Sequence, residues 1–188
     1  LLQDIRMGNV TAEHDAVLRS RINAKLDCSN GIQPTRLYTH RNDVDSENQS
    51  KLKLLPGAEV MYGALDSGDQ YAVETLQKGC LAPAALKLKI GAQVMLLKNL
   101  DPPMLVNGSR GVVLSFEKIS KQLLQELTRK GSYVPSDIEN QVFPVVAFDR
   151  GTTQLITPAT WDLERAGAVL ASRVQVPLCL AWAITVHK

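Results

Sequence analysis

Aromatic residues are scarce in this sequence. Three Phe, two Trp and four Tyr make up 5% of its 188 residues, too few for a row of base-stacking platforms. The cysteines are Cys28, Cys80 and Cys179. They are odd in number and widely spaced, with no CxxC, which argues against a disulfide framework and fits a reduced intracellular compartment. His14, His40 and His187 are too scattered to mark a metal site, so no metal ligand is assigned. No apolar run is long enough to cross a membrane and no signal peptide is visible, so no membrane partner is expected. The phosphate-cradling pattern GxxxxGK[ST] is absent, as are HExxH, GxSxG and a Gly-rich dinucleotide turn. No acidic pair follows a buried strand to hold Mg²⁺. A self-contained enzyme of these types is not expected, and no catalytic residue is assigned.

What is present supports a packed core. Hydrophobic residues make up 45% and charged residues 21%, with a net charge of +2. The charge is unevenly spread. Residues 85–130 hold eight Lys or Arg against three acids, a local +5 against −3 for the remainder. Such a stretch fits phosphate binding, although solvated Lys explains it equally. The chain opens inside a helical-looking run without an initiator Met and stops after its most apolar strand-like segment, which suggests a piece of a larger parent.

Patterning divides the chain into an α/β layer, a strand-rich middle and a return. Thr11 is positioned to cap a helix running to about Lys25, and CSNGIQP (Cys28–Pro34) is a turn-rich linker. A strand is expected at Thr35–Tyr38 and a helix from about Asn42 to Leu55, stopped by Pro56-Gly57. Val44, Asn48, Leu52 and Leu55 share one face of that helix. A strand at Glu59–Tyr62, a polar turn at Asp66–Asp69 and a helix near Ala72–Lys78 follow. Short strands at Leu86–Lys89, Ala92–Lys98, Gly111–Phe116, Val142–Phe148 and Gln154–Thr157 predict a small β-barrel. A helix near Glu117–Lys130 interrupts them. VPLCLAWAITV (Val176–Val186) suits one or two strands buried on both faces.

The last residues carry the most specific chemistry. Ile184-Thr185-Val186-His187-Lys188 sets a hydroxyl, an imidazole and an ammonium at the carboxyl end of a buried strand, where open α/β sheets bind ligands. A plain strand end with a solvated Lys explains the same residues. AWAITVHK resembles the start of motif V in the Pif family of 5′→3′ DNA helicases, a branch of helicase superfamily one. Other stretches match in the same order. LLQDIRMGNVT (Leu1–Thr11) resembles the end of that family's first motor domain, and RLYTHRNDVDSEN (Arg36–Asn48) its motif IV. LKLKIGAQVMLLKNL (Leu86–Leu100) with LVNGSRGVV (Leu105–Val113) resembles the segment leading into its SH3-like barrel, and SRVQVPL (Ser172–Leu178) the return to the second motor domain. Residues 117–141 match nothing in the pattern.

The resemblance implies an α/β fold: part of a RecA-like second motor domain with an inserted small SH3-like β-barrel. The implied divisions are 1–32, the end of the first motor domain and a linker; 33–85, the first part of the second; 86–170, the barrel, with a helical insertion at about 117–141; and 171–188, the return. It implies a parent that is an ATP-dependent helicase acting in DNA replication, repair, recombination or telomere maintenance, located in the nucleus or mitochondrion if eukaryotic. ATP and Mg²⁺ would serve that parent, and this chain alone would bind neither. The implied partner is single-stranded DNA, held by its backbone through Thr39, His40, Asn48, Asn107, Arg110, Thr185, His187 and Lys188. Residue by residue, simpler explanations stand beside that one. Asn48 on an apolar stripe needs a partner, with bracing of a neighbouring loop favoured over a DNA contact. Asn107-Gly108 also fits a plain hairpin turn, and Arg110 a solvated cation. Trp182 and Trp161 are expected to pack. Two other identities fit the same residues: the helicase portion of a rolling-circle transposon, and a non-catalytic nucleic-acid-binding module.

Overall fold

In a computed structural model the protein is described over residues 1–22, 24–26, 28, 31–129 and 138–185. Two short helices lead, α1 (Leu2–Arg6) and α2 (Ala12–Ser20). Thr11 caps α2 by accepting from the His14 N–H at 3.2 Å. The helix stops five residues short of the expected Lys25, and neither α1 nor α2 contains a buried side chain. The linker then delivers β1 (Arg36–Tyr38) and α3 (Arg41–Leu54). Leu55 leaves the helical region with ψ 136°, as expected of a residue before proline. Asn48 and Leu52 are the buried members of the α3 stripe.

Next come β2 (Val60–Gly63), β3 (Leu65–Gly68), α4 (Gln70–Gly79) and β4 (Ala85–Leu88). Asp69 caps α4, accepting from the N–H groups of Tyr71 and Ala72. The middle of the chain supplies β5 (Gln93–Leu96), β6 (Arg110–Lys118), α5 (Lys121–Arg129), β7 (Val142–Phe148) and β8 (Thr153–Leu155). It closes with β9 (Ala159–Arg165), β10 (Ala168–Gln175), β11 (Leu178–Leu180) and β12 (Ala183–Thr185).

These strands form a mixed α/β fold with four sheets among the described residues, none closed into a barrel. The largest has the order β11-β5-β6-β7-β8, and a second has the order β3-β10-β9. The remaining two are the pairs β2-β4 and β1-β12. The barrel expected from patterning alone is therefore not what the hydrogen bonds build. β4, expected as its first strand, pairs antiparallel with β2 instead. β8 and β11 end the five-stranded sheet at opposite edges. One hydrophobic core nevertheless joins α3 to the strand-rich part: Leu52, Leu88, Leu96, Phe143, Val146 and Trp182 all lie in it. Within β6 the approach to β7 requires glycine. A Cβ on Gly111 would lie 2.5 Å from Val146 Cγ1 and 2.7 Å from the Ala147 carbonyl oxygen.

One element departs from expectation for an electrostatic reason. The residues expected as a polar turn at Asp66–Asp69 instead form most of strand β3, paired with β10. Arg173 of β10, only 2% exposed, donates from Nε to Asp66 Oδ1 at 2.7 Å and from Nη2 to Oδ2 at 2.8 Å. Its Nη1 donates to the Ala82 carbonyl at 2.9 Å. A bidentate pair of this kind fixes geometry as well as charge, and it holds a polar segment in a strand that its composition disfavours.

The pair sets up an asymmetric prediction. Asp66→Ala strands a guanidinium in the interior and is expected to cost about 3–5 kcal/mol in urea unfolding of the chain. Arg173→Met is expected to cost less, because the freed carboxylate is closer to solvent and keeps its bond from Gln77. The Arg173 hydrogen bonds, outweighing burial, hold the Asp66 carboxyl below the usual carboxylate range. Its contribution is therefore complete above the unfolded value of about 4 and is lost as pH falls through the lower folded value. Asp66→Asn should flatten the stability profile on that acid side. Identical acid profiles for wild type and variant would remove the pair from this role.

Candidate nucleic-acid interface

β1 and β12 run parallel in register, with Arg36 opposite Ala183, Leu37 opposite Ile184 and Tyr38 opposite Thr185. Their carboxyl ends therefore share a rim. Thr39 and His40 follow Tyr38 directly and are both exposed. His40 is the N-cap residue of α3 but makes no side-chain capping bond, so its imidazole is not committed to the helix end. The first-turn N–H groups of α3 add a partial positive charge at this rim. Hydroxyls, an imidazole and helix-end amides are all groups that bond phosphate oxygens.

Behind the rim lies a groove of about 580 Å³ whose walls include Arg41, Lys87, Asn107 and Thr185. It brings Asn107 and Thr185, 78 positions apart, to one surface. Asn107 occupies an exposed turn, held by its own N–H donating to Asn99 Oδ1 at 2.8 Å. Arg41 and Lys87 were missed as candidates. The signals for them were the position of Arg41 directly after His40, and the outward register of Lys87 between buried Leu86 and Leu88. Lys87 also pairs with Glu59 at 3.1 Å. Cys179 lines the groove too, but burial pushes its thiol up to about 12, far from the range of a reactive thiolate.

Other candidates are committed differently. Asn48 also lines the groove, but its amide is turned to backbone. Its Nδ2 donates to the Ala183 carbonyl at 3.0 Å and toward that of Leu180 at 3.5 Å, while its Oδ1 accepts from the Ala183 N–H at 3.0 Å. Both ends of the amide are used by buried backbone, so the DNA contact carried over from the resemblance gives way to strand bracing. Arg110 faces Asp149 at 3.6 Å, and the Asp149 N–H donates to the Arg110 carbonyl. It does not line the groove. His187 and Lys188 lie outside the described residues. Trp182 is buried, as expected, and Trp161 receives Lys98 Nζ at 5.3 Å from its ring centroid. Among the described residues no group of three or more metal-type ligands forms, and no helix is long and apolar enough to cross a membrane.

Comparison with known proteins bears on this geometry. The family model for the DNA helicase Pif1 2B domain matches residues 72–116, from α4 into β6. The ATP-dependent DNA helicase PIF1 of Xenopus laevis is 42% identical over 189 aligned residues, which cover all of this chain and 26% of that protein. The chain is Pif1-family sequence along its whole length. It spans about a quarter of the length of the curated Pif1 relatives it matches. The crystal structure of the Pif1 helicase from Candida albicans matches with a TM-score of 0.70 at 36% identity, over 99% of this chain and 43% of that one. The structure of Bacteroides Pif1 bound to ssDNA matches with a TM-score of 0.56 at 24% identity, over 99% of this chain and 38% of that one, a likeness of fold alone.

The placement of Asn48 separates two roles experimentally. Asn48→Ala is expected to lower the stability of the chain by about 2–3 kcal/mol, since it leaves buried backbone groups without partners. Thermal unfolding reads this directly. An unchanged melting temperature with weakened DNA binding would restore Asn48 as a surface contact.

Proposed function

We propose that this chain works as a DNA-gripping part of an ATP-driven 5′→3′ DNA helicase. The observation that carries the proposal is the shared rim: Thr39, His40 and Thr185 lie at the carboxyl ends of a parallel strand pair, beside the start of α3. Kinship along the whole chain with ATP-dependent DNA helicases supports it, as does a Pif1 of like fold solved with ssDNA. In this proposal β1, α3 and β12 belong to a RecA-like second motor domain covering about 33–85 and 171–188. Residues 86–170 form its SH3-like insertion, and residues 1–32 lead in from the first motor domain.

The described residues do not fit an ATP or Mg²⁺ site. The sequence has no phosphate-cradling loop, and the described residues bring no carboxylate cluster together. Nucleotide chemistry in this proposal belongs to other parts of the parent, and no step of it runs through these side chains. Their work is to hold phosphates. Thr39 and Thr185 donate hydroxyl hydrogens to phosphate oxygens, and His40 donates from a ring N–H. Such contacts fix the strand without reading bases. Closure of the motor on nucleotide would carry the rim, and the strand bound to it, as one body.

Fluorescence anisotropy with single-stranded oligonucleotides tests the grip. His40→Ala and Thr185→Val are each expected to weaken binding about 2- to 10-fold, the net worth of one hydrogen bond, and equally for all base compositions. Affinity should fall steeply with added salt as counterions are released. A loss confined to one base composition would exclude a backbone grip. The chain alone should hydrolyse no ATP with or without DNA, and turnover that survives repurification would contradict the proposal.

A further inference from the structure

Gln93 has no part in the rim and does not line the groove, yet it is 1% exposed and both polar atoms of its side chain are hydrogen-bonded. Its Oε1 accepts from the Gln33 N–H at 2.7 Å. Its Nε2 donates to the Gln33 carbonyl and to the Ala181 carbonyl, each at 2.9 Å, and lies 3.4 Å from Thr35 Oγ1. The Thr35 hydroxyl in turn donates to the Ala181 carbonyl at 2.9 Å. The Gln93 backbone carbonyl accepts from the Ala181 N–H at 2.9 Å.

The two segments held are those that lead into the rim strands. Gln33 and Thr35 lead into β1, and Ala181 leads into β12. One side chain, on a strand of the five-stranded sheet, thus ties down the start of both strands whose far ends carry Thr39, His40 and Thr185. Strand register is set by where the strands are pinned, and a one-residue slip would turn every side chain to the other face. With the starts of both strands fixed to the same amide, Tyr38 lies opposite Thr185.

We infer that Gln93 is a positioning residue for the DNA grip: it sets the register of β1 against β12, so that the large sheet and the phosphate-binding rim behave as one unit. The inference rests on the proposed role of the rim, and its test separates the two. In the full-length helicase, ssDNA affinity is measured for Gln93→Met, Thr185→Val and the double variant, with melting temperature followed in parallel. Thr185→Val alone reports on the rim, and unchanged binding by it overturns the rim and the inference together. If the rim is right, Gln93→Met should weaken binding by about tenfold, and the double variant should bind about as weakly as the worse single variant, because a displaced Thr185 has no contact left to lose. Fully multiplicative losses would overturn the inference while leaving the rim intact. So would binding by Gln93→Met equal to wild type. Should Gln93→Met fail to fold, Thr35→Val removes one bond of the same clamp and takes its place in the cycle. Arg173→Met, destabilising but sharing no hydrogen bond with the clamp, serves as the control, and any affinity loss it causes should multiply with that of Thr185→Val.

Discussion

The structure turns on one crossing. Between Leu180 and Ala183 the chain leaves the antiparallel five-stranded sheet and joins the parallel pair with β1, and Ala181, Trp182 and Ala183 are all buried there. Peptide groups at such a crossing have no ladder to complete, and water does not reach them, so each needs a specific partner. Side chains supply most of them. Asn48 on α3 serves the Ala183 N–H and carbonyl, Gln93 and Thr35 serve the Ala181 carbonyl, and the Arg36 N–H serves the Trp182 carbonyl. The core that joins α3 to the larger sheet and the rim at the end of β12 both depend on this short stretch keeping one conformation.

Some of this was legible in the sequence because the signal was local. The α3 stripe and the Pro56-Gly57 stop fixed a helix to within a residue or two, and β7 shows its burial alternation in VFPVVAF. The α/β reading set β1 and the end of the chain in one layer, and the structure pairs β1 with β12 in parallel. Nonlocal features were hidden. β3 reads as a turn because Asp66 and Ser67 disfavour strands, and the partner that overrides this preference, Arg173, is 107 positions away. The β9–β10 hairpin turns at Ala166-Gly167, where Ala166 takes φ 52°, and alanine gives no turn signal of the kind asparagine would. The polar position of Asn48 announced a buried partner without saying which. Gln93 was invisible, one polar residue inside GAQVMLL, because its partners lie 58–88 positions away.

The basic stretch from 85 to 130 shows how a charge tally misleads. Lys87 faces Glu59, Lys89 donates to the Leu55 carbonyl, Lys98 donates to the Thr160 carbonyl over the Trp161 ring, and Arg110 faces Asp149. Four of its eight cations therefore tie loops and strands together. Long basic side chains reach buried carbonyls while keeping their heads near solvent, so clustering in sequence reflects the needs of a strand-rich region with many turns. The rim, by contrast, relies on neutral hydroxyls, an imidazole and the end of a helix.

The β1–β12 pair has a further consequence of its own. Among the described residues each strand has a partner on one side only, and the outer edges carry unpaired backbone donors and acceptors beside Leu37, which is 65% exposed. Such an edge accepts any extended segment that meets it. Where two isolated chains meet at that edge, the rate of their encounter grows with the square of their concentration.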